Sequence, residues 1–450
     1  MSIAKNCELR EHRRTCLSCG AELPGEPLLT LSDMPESAQD IPGKEELSLD
    51  HGIELRLCRC RDCGLVQFDC EPVDYYPAVI RAVGLSETMR ELRRRDYRHM
   101  IDAYGLFGGK FLECGCGRGE FLQVLKEFPV QICGMEADPE AAKAAQALLG
   151  PDCRILPCFA GEEAMDLPGA PFDCFLSFNF LEHQPDPGVM LRAMYRNLKP
   201  GGYGLITVPS FEYILEQGRY YELIRDHIAN YTAESLRRLL RDCGFEVLEE
   251  GRIGIGDTLR AVVKKPEGAS AEAAVHRACM DIFSAFQREN SRSAGKDVLP
   301  GESADQAEAA ASRPAGMAGP AAAETCGIEA LRENYMRLRE QMAEFMEELK
   351  RKGKRLALFG ASHQGFTIAA TTALSKAALY MMDSAPFKQG RFAPASHIPI
   401  VAPSYFAEHP AEVVMITAPG YVKEITAQLR AMYGDGFQIC TIEPKSWKGI

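Results

Sequence analysis

A run of glycines between two apolar segments constrains the fold of this chain more than any other feature. In FLECGCGRGEF, residues 111–121, Gly115, Gly117 and Gly119 stand between a strand-like segment and a helix-like segment. Glycines at such a turn let a ligand approach bare backbone, and in open α/β sheets ligands bind where the parallel strands end. The run therefore predicts a ligand-binding turn at the carboxyl edge of a parallel sheet.

Strand-like and helix-like segments alternate around this run. Across residues 73–265, helical patterns separate the apolar segments FLEC, QICGMEA, FDCFLSF and YGLITVP, which indicates βαβ units and a doubly wound sheet. After an Ala-, Gly-, Pro- and Ser-rich stretch, RLALFGASHQGF, ALYMMDSA and VVMITAPG repeat the pattern. We predict an α/β chain with a small cysteine-rich domain at 1–72, a Rossmann-like core at 73–265, a partly disordered linker at 266–326 and a second Rossmann-like domain at 327–450.

Length and composition limit the class of protein. The chain has 450 residues, 25% of them charged, and a formal net charge of −12. This length suits two or three domains, and the acidic balance argues against a nucleic-acid partner. The sequence shows neither a signal peptide nor a stretch of 18 apolar residues that would suit a membrane span. We expect a cytoplasmic protein with a small-molecule substrate and reduced cysteines; the oligomeric state stays open.

Two cysteine pairs in the first domain share one spacing. TCLSCG places Cys16 and Cys19 two residues apart, and CRCRDCG does the same for Cys60 and Cys63. Paired C-x2-C turns direct four thiolates to one point, which suits tetrahedral Zn²⁺. We predict one structural zinc ion at these four residues. Cys58 is an alternative to Cys60 that breaks the spacing, and buried thiols without metal are the competing interpretation.

Two acidic residues flank the glycine turn and narrow its ligand. Glu113 ends the strand before the glycines, where a carboxylate disfavours a pyrophosphate and favours a cation. Glu136, in GMEAD, ends the next strand, where a carboxylate can bind two ribose hydroxyls. The glycine run alone nearly fits a dinucleotide fingerprint, so by itself it is weak evidence for either ligand. A ligand with a ribose and a positive charge but no phosphate suits both acids, and S-adenosylmethionine (SAM) is that ligand.

These motifs resemble those of class I methyltransferases. ECGCGRG is similar to the first motif of that family, and LKPGGYGLITVPS, residues 198–210, is similar to the segment after its fourth. The resemblance implies that the glycines approach the methionine part of SAM and that the acid after the second strand binds the ribose. The cofactor-binding residues that it implies are Glu113, Gly115, Gly117, Gly119, Glu136, Phe178 and Asn179.

The order of the domains is similar to that of the sugar C-methyltransferases. CGLVQ (63–67), the methyltransferase core, FGASHQG and DSAPFKQGRFAPASHIPI (383–400) carry this resemblance. It implies methyl transfer to a carbon of a nucleotide-linked keto-deoxysugar. Gln364 stands where the family usually has a lysine, so a related small molecule stays open as the substrate.

Carbon methylation beside a ketone needs a base that removes the α-proton, and histidine titrates near neutral pH. His183, in NFLEHQPDP, follows the fourth core strand, and His227 lies in ELIRDHIANYT. The resemblance makes His227 the general base with Asp226 supporting it, while His183 helps to bind the ketone or enolate oxygen. For each histidine, a ring satisfied at a loop or helix start is the alternative.

Four further residues are candidates for substrate binding. Tyr76 belongs to the family's tyrosine-containing segment before the core, and Tyr221 lies near the proposed base. Tyrosines near an interface also serve packing. Lys388 and Arg391 flank Gly390 and would face a diphosphate; a solvated basic turn is the alternative.

Three functional hypotheses follow from the sequence. The leading one is a SAM-dependent C-methyltransferase that acts through an enolate. The second is O- or N-methylation of another small molecule, in which His227 would deprotonate a hydroxyl group. The third is a SAM-binding scaffold without turnover, which would need neither the two histidines nor the Lys/Arg turn.

Overall fold

The computed structural model describes residues 13–78, 86–268 and 320–450, which form three sheets. Most of the predicted linker, residues 269–319, lies outside the described residues. Among the helices in the described ranges, none is long and apolar enough to cross a membrane.

The first sheet has four antiparallel strands in the order β1-β2-β3-β9. Strands β1 (Leu29–Met34), β2 (Ile53–Arg59) and β3 (Val66–Phe68) come from the N-terminal part of the chain. Leucines alternate with polar residues at the start of β1, as expected for a strand with one buried face. The fourth strand, β9 (Ala229–Asn230), comes from the core domain, which therefore completes the sheet of the first domain.

The core domain contains a seven-stranded sheet in the order β10-β11-β8-β7-β4-β5-β6. Strand β11 is antiparallel to both neighbours, and the other neighbouring pairs are parallel. The strands are β4 (Lys110–Cys114), β5 (Gln131–Met135), β6 (Arg154–Leu156), β7 (Phe172–Phe178), β8 (Leu198–Pro209), β10 (Glu246–Ile253) and β11 (Thr258–Lys264). The helices are α1 (Glu87–Tyr104), α2 (Glu120–Leu125), α3 (Pro139–Leu149), α4 (Pro187–Asn197), α5 (Phe211–Gln217) and α6 (Ala233–Asp242).

Apolar residues cover both faces of the core sheet, because neighbouring residues of a strand point to opposite sides. Phe111 packs with the cluster of Tyr97 and α2, whereas Leu112 packs with the cluster of α4 and α6. On β8, Leu205 packs in the same cluster as Phe111, and Ile206 packs in the same cluster as Leu112. This arrangement of two helical layers around a mostly parallel sheet confirms the predicted Rossmann-like fold.

The C-terminal domain contains a five-stranded parallel sheet in the order β14-β13-β12-β15-β16. Its strands are β12 (Leu356–Phe359), β13 (Ala378–Met382), β14 (Ile400–Val401), β15 (Val413–Ile416) and β16 (Gln438–Thr441). Its helices are α7 (Pro320–Arg351), α8 (His363–Thr371), α9 (Leu374–Ala377) and α10 (Val422–Tyr433). The strand order reverses at β12, and α8 begins at the carboxyl end of that strand, where ligands bind in sheets of this kind.

One apolar cluster joins the three domains. It contains Leu31 of β1, Phe211 of α5, Leu331 of α7 and Leu358 of β12, all buried. The hydroxyl group of Tyr335 on α7 also donates a hydrogen bond to the backbone oxygen of Ser32 (3.3 Å). Because the domains share this core, residues from all three meet near the carboxyl edge of the core sheet.

Candidate active site

The turn after β4 has the backbone conformation that favours glycine. Gly115, Gly117 and Gly119 have φ angles of 65°, 56° and 87°, which residues with a Cβ rarely adopt. A Cβ on Gly115 would lie 2.7 Å from the ring of Phe180, whereas the nearest atom to a Cβ on Gly117 is 3.9 Å away. The backbone at Gly117 is therefore the open part of the turn.

Glu136 connects the end of β5 with this turn. Its carboxylate accepts hydrogen bonds from the backbone N–H of Gly117 (2.8 Å) and of Asp138 (2.9 Å). Burial raises the pKa of this carboxyl group. Glu113 is buried at the end of β4, near the guanidinium group of Arg93. Acidic residues at the ends of two adjacent strands thus flank the glycine turn.

Phe178 and Asn179 differ in their surroundings. The ring of Phe178 is buried, with the guanidinium group of Arg93 3.8 Å from its centroid and the ring of Phe121 at 5.3 Å. Asn179 is exposed at the carboxyl end of β7, with φ at 49°, and its Oδ1 accepts a hydrogen bond from Thr207 Oγ1 (2.9 Å). Asn179 therefore presents a polar group at the ligand edge, while Phe178 belongs to the packing below it.

His183 ends a 3-10 turn, Leu181–His183, that follows β7. Its Nδ1 lies 2.7 Å from the backbone oxygen of Asp226. A carbonyl oxygen only accepts hydrogen bonds, so Nδ1 carries the hydrogen and Nε2 holds a lone pair in the neutral ring. Burial lowers the pKa of His183 to about 4. The ring is therefore neutral at pH 7 and its Nε2 is an acceptor.

His227 lies beside His183 and is more accessible. The ring centroids are 4.8 Å apart and the ring planes are inclined by 74°. His183 is buried, whereas His227 is half-buried, and its ring makes no hydrogen bond to another described residue. Burial lowers the pKa of His227 well below its ordinary value, and the rings of His183 and His363 add to this effect. His227 is therefore a neutral imidazole with an exposed edge.

Glu182 adds a buried acid to this pair. Its Oε1 lies 3.9 Å from His183 Nε2, and its Oε2 has no hydrogen-bond partner in the described part of the chain. Oxygen and nitrogen atoms of Glu182, His183 and His227 lie within 4.8 Å of one another. Burial raises the pKa of Glu182 to about 8, so this carboxyl group is mainly protonated at neutral pH.

The first domain holds the loop that carries His227. The buried guanidinium group of Arg225 donates hydrogen bonds to the backbone oxygens of Glu71 (3.0 Å) and Glu36 (3.2 Å). Directly after His227, β9 pairs with β3 in the first sheet. The position of the loop is therefore set on both sides of His227 by the cysteine-containing domain.

The carboxylate of Asp226 also faces the first domain. Its Oδ2 accepts a hydrogen bond from the backbone N–H of Ala38 (2.9 Å), and the hydroxyl group of Tyr75 donates to its Oδ1. Asp226 therefore makes its contacts with Ala38, Tyr75 and His183, and it would support His227 through the position of the loop. The side chain fixes the loop, and the backbone oxygen orients His183.

The C-terminal domain contributes the third side of the site. The ring centroid of His363, the first residue of α8, lies 6.3 Å from that of His227. His363 Nε2 is 3.5 Å from Glu222 Oε2, and Gln364 donates a 2.7 Å hydrogen bond to Glu222 Oε1. A narrow cleft lies between the domains and is lined by Met34, Pro35, Ser37, Ala38, Ile224, Arg225, Asp226, His363, Phe366 and Thr367.

The two predicted substrate tyrosines lie in different places. The ring of Tyr76 is half-buried and packs edge-on against Phe159 at 5.7 Å. Phe159 in turn contacts Phe180 at 6.5 Å, so an aromatic chain reaches the glycine turn. Tyr221 is buried in the shared apolar core, 5.7 Å from the ring of Tyr220. Its role in substrate binding stays a prediction.

The two predicted cations of the C-terminal domain do not face one point. Lys388 is buried, and its Nζ donates a 2.7 Å hydrogen bond to the backbone oxygen of Ala361 and lies 3.4 Å from Asp383. Arg391 reaches the first domain, where it donates a 2.7 Å hydrogen bond to the backbone oxygen of Ile41. A shared contact of both cations with a diphosphate therefore stays a prediction.

The four predicted metal ligands lie together in the first domain. Their sulfur atoms are within 4.8 Å of one another, with Cys16 3.4 Å from Cys63 and Cys19 3.5 Å from Cys60. Tetrahedral zinc with Zn–S bonds near 2.3 Å places its sulfurs about 3.8 Å apart, so the four thiols fit this ion. Cys58 is buried outside the cluster.

The two cysteine turns repeat one backbone geometry. In each, the glycine after the second cysteine donates to the oxygen of the first: Gly20 to Cys16 (2.9 Å) and Gly64 to Cys60 (3.1 Å). Both glycines have positive φ angles, 74° and 77°. The side chain of Gln67 accepts a 2.8 Å hydrogen bond from the N–H of Leu17. It thereby ties the first turn to β3.

Comparison with known proteins identifies two domains. A methyltransferase domain model matches residues 89–250, and a C-methyltransferase C-terminal domain model matches residues 322–444. The chain is a SAM-dependent methyltransferase. The glycine turn and Glu136 lie inside the first of these two segments, and His363 lies inside the second.

The relatives of this methyltransferase match only part of its length. A protein of Mycolicibacterium smegmatis named "Probable S-adenosylmethionine-dependent methyltransferase" is 29% identical over 198 residues, which is 44% of this chain and 76% of that protein. A ubiquinone biosynthesis O-methyltransferase of Idiomarina loihiensis is 35% identical over 100 residues, 22% of this chain and 41% of that protein. This chain therefore spans less than half of the second relative's length.

Solved structures also match only a part of this methyltransferase. A SAM-dependent methyltransferase from Aquifex aeolicus has a TM-score of 0.33 at 18% identity, with 39% of this chain and 92% of that chain covered. The cyclase SpnF has a TM-score of 0.35 at 18% identity, with 43% and 89% covered.

The structure adds three residues that the sequence analysis did not select. Glu182 directly precedes His183, and its position in the apolar segment NFLEH was the only local sign of a buried acid. His363 stands in the glycine turn of the second α/β domain. Tyr75 precedes the chosen Tyr76. None of the three repeats at a period. His363 and Tyr75 reach the site through long-range contacts, whereas Glu182 is next to His183 in the chain.

Proposed function

We propose that this methyltransferase acts on a carbon next to the ketone of a nucleotide-linked keto-deoxysugar, with His227 as the general base. The observation that carries the proposal is the neutral, half-buried ring of His227 beside His183 at the carboxyl edge of the core sheet. A carbon beside a ketone becomes a nucleophile only after a base removes its α-proton. The match of residues 322–444 to a C-methyltransferase C-terminal domain supports carbon as the acceptor.

The residues around the glycine turn fit SAM, which when bound supplies an electrophilic methyl group on a positively charged sulfur. The open backbone at Gly117 fits the methionine part, and Glu136 fits the ribose hydroxyl groups. Asn179 adds an exposed amide at the same edge. The buried acid Glu113 contributes negative charge near the turn. Phe178 supports this site from below through packing.

His227 accepts the α-proton in this proposal. Burial keeps its ring neutral at pH 7, which is the form that a base needs. Its low pKa makes it a weak base, so the enolate oxygen must be stabilised at the same time. His183 is the closest candidate for that contact, and Asp226 acts as a positioning residue for both histidines.

The substrate would enter the cleft between the three domains. His363 lies on the side of the cleft that the C-terminal domain forms, and the aromatic chain that begins at Tyr76 leads towards the glycine turn. Arg391 is exposed beside Gly390 and is the more accessible cation for a diphosphate, whereas Lys388 supports the turn from inside. Tyr221 would act through packing beneath the cleft.

We also propose that Cys16, Cys19, Cys60 and Cys63 bind one structural zinc ion. The sulfur positions and the repeated turn geometry support tetrahedral coordination. All four positions are taken by protein thiolates, so this ion would have no open site for catalysis. Its role is to hold the first domain, which in turn holds the loop of His227.

Solvent exchange tests the proposed function. The enzyme is incubated in D₂O with a keto-sugar nucleotide and a SAM analogue that cannot donate a methyl group. We expect it to exchange the hydrogen on the α-carbon for deuterium. Transfer of labelled methyl from SAM to a panel of keto-sugar nucleotides, with NMR of the product, should then locate the methyl group on that carbon. A product methylated on oxygen, without α-carbon exchange, would contradict C-methylation.

O-methylation is the second candidate, because the ubiquinone biosynthesis relatives carry that activity in their names. In this case His227 would remove a hydroxyl proton, and no carbon-bound hydrogen would exchange. Their alignment covers 22% of this chain, and the second domain model matches residues 322–444. The carbon reaction is therefore preferred.

A further inference from the structure

Glu182 is a buried acid that has no role in the proposed reaction as described above. Its side chain is almost fully buried in the turn after β7, with Oε2 lacking a hydrogen-bond partner among the described residues. Leaving a polar atom buried without a hydrogen-bond partner destabilises the folded chain. Such a cost is expected where the group has a function.

The groups that face Glu182 come from several elements. His183 lies on the same turn, with Nε2 at 3.9 Å from Glu182 Oε1. His227 comes from the loop before β9, within 4.8 Å. Tyr231, just after β9, is buried near Glu182 with a hydroxyl group that also lacks a partner among the described residues. His363 approaches His227 from α8. These neighbours are imidazoles and a phenol, and burial raises the pKa of the carboxyl group, which favours its neutral form.

The tautomer of His183 leaves its Nε2 without a hydrogen to donate, and Glu182 is an acid close enough to supply one. The Nδ1 hydrogen is already donated to the backbone oxygen of Asp226, so the neutral ring has no hydrogen left at Nε2. It cannot donate a hydrogen bond to an enolate oxygen unless it gains a proton. A buried site has little access to protons from solvent. The nearest acid among the described side chains is Glu182.

We propose that Glu182 supplies the proton that charges His183 while the enolate forms. This inference rests on the proposed function. The O–H bond of Glu182 breaks and an N–H bond forms at His183 Nε2, which leaves a carboxylate and an imidazolium ring. The new N–H donates a hydrogen bond to the enolate oxygen. When the ketone forms again, the proton returns to Glu182, so the step consumes no proton overall.

The distance of 3.9 Å is longer than a hydrogen bond. A shift of about 1 Å in the carboxyl group, or one bridging water molecule, connects the two atoms. The carboxylate that remains also balances charge. His227 gains the substrate's α-proton while His183 gains the proton of Glu182, so two cationic rings stand 4.8 Å apart. A carboxylate next to both rings offsets their repulsion.

A divalent cation is the competing occupant of these atoms. Two imidazoles and a carboxylate are a known ligand set for zinc, and His183 donates its other N–H to a backbone oxygen, as metal-binding histidines do. With a cation present, Glu182 would be ionised and His183 Nε2 would be blocked. The two occupants therefore predict opposite protonation of Glu182.

Infrared difference spectroscopy of the full chain measures that protonation directly. We expect the wild type at pH 7 to show a protonated-carboxyl C=O band that Glu182→Gln removes. The exposed Glu140→Gln should leave the band unchanged. Glu136 and Asp226 also have raised pKa values, so only the difference from Glu182→Gln isolates the group. Glu182→Asp serves as the second variant, and it should keep the band and part of the activity.

Kinetics test the role of the proton. We expect Glu182→Gln to lower kcat and the rate of α-carbon deuterium exchange by about 10²-fold, the low end of acid–base effects, with KM and SAM affinity within twofold. The alkaline limb of the pH–rate profile, near pH 8 in the wild type, should disappear. An effect of packing alone would not move that limb.

Three results would overturn the proposal. The first is a Glu182 carboxyl group that is ionised at pH 7. The second is a metal ion, beyond the one bound by the cysteines, that Glu182→Gln removes. The third is wild-type exchange in Glu182→Gln. If the wild type exchanges no α-hydrogen of any keto-sugar for deuterium, the proposed function fails. The infrared band still decides whether Glu182 is protonated.

Discussion

The backbone N–H of Ala38 donates a 2.9 Å hydrogen bond to the carboxylate of Asp226, and this contact joins the first domain to the loop of His227. Tyr75 donates to the other oxygen of the same carboxylate. The loop of His227 and the contact that orients His183 therefore take their positions in part from the first domain. Changes on this contact should act on the chemistry and leave the cofactor in place.

Asp226→Ala removes both hydrogen bonds of the loop. We expect kcat to fall by about 10- to 100-fold, since losing buried hydrogen bonds of this kind costs about 1–3 kcal/mol and displaces the loop. Tyr75→Phe should have a smaller effect, because the bond from Ala38 remains. SAM affinity, measured by calorimetry, should match that of the exposed control Asp152→Ala. A loss of SAM affinity equal to the loss of kcat would contradict a positioning role.

His227→Ala tests the base directly. The chemical step should slow by about 10²–10⁴-fold, the usual contribution of a general base, without a change in SAM affinity. Because burial lowers the pKa of His227 well below 6.5, the acid-side fall of kcat/KM in the wild type should lie well below pH 6.5. His99→Ala, at an exposed histidine of the core, is the control. An acid limb at or above pH 6.5 would assign the base to another group.

The buried, neutral ring of His183 predicts sensitivity to acid. Its pKa is about 4 in the folded chain and 6.5 ordinarily, so between these values the unfolded chain binds a proton that the folded chain does not. Stability should therefore be complete above pH 6.5 and fall as the pH drops towards 4, by up to about 3 kcal/mol. Denaturant midpoints across this range measure it. His183→Gln should flatten the curve, and an unchanged slope would place the titrating group elsewhere.

The cysteine cluster predicts one zinc ion per chain in metal analysis. Cys60→Ser should lose it, because serine cannot supply a thiolate. Cys58→Ser is the matched control, since Cys58 is buried two residues away but outside the cluster, and it should keep the metal. Zinc that survives Cys60→Ser and is lost in Cys58→Ser would reverse the assignment.

Glu136→Ala should weaken SAM binding by roughly 1–3 kcal/mol, because ribose hydroxyls and the N–H of Gly117 would both lose a partner. Glu140→Ala, exposed in the first turn of α3, should bind SAM like the wild type. Calorimetry of both variants gives the comparison. Unchanged affinity in Glu136→Ala would move the ribose to another group.

The parts of the candidate site where the geometry agrees with the sequence prediction are local. The glycine turn, the acid after the next strand and the two cysteine turns each lie within a few residues of one element, so spacing alone places them. The choice of Cys60 over Cys58 also followed from spacing, and the sulfur positions agree with it.

The parts that the sequence could not supply depend on distant contacts. Strand β9 has two residues, too few to show a period, yet it places His227. The contacts of Asp226 with Ala38 and of Gln364 with Glu222 join residues that are 188 and 142 positions apart. The sequence predicts that Lys388 faces a diphosphate, whereas in the structure its Nζ donates a hydrogen bond to the backbone oxygen of Ala361 inside the domain.

The return of the chain at β9 has a consequence for engineering. Ala229 pairs with Gln67 in the first sheet, and Gln67 also holds the first cysteine turn through Leu17. A core that is transplanted from residue 73 onwards, without its own first domain, would therefore carry His227 on an unsupported loop. Chimeras between enzymes of this kind should exchange the first domain and the segment around residue 229 together, because the two segments jointly hold the loop of His227.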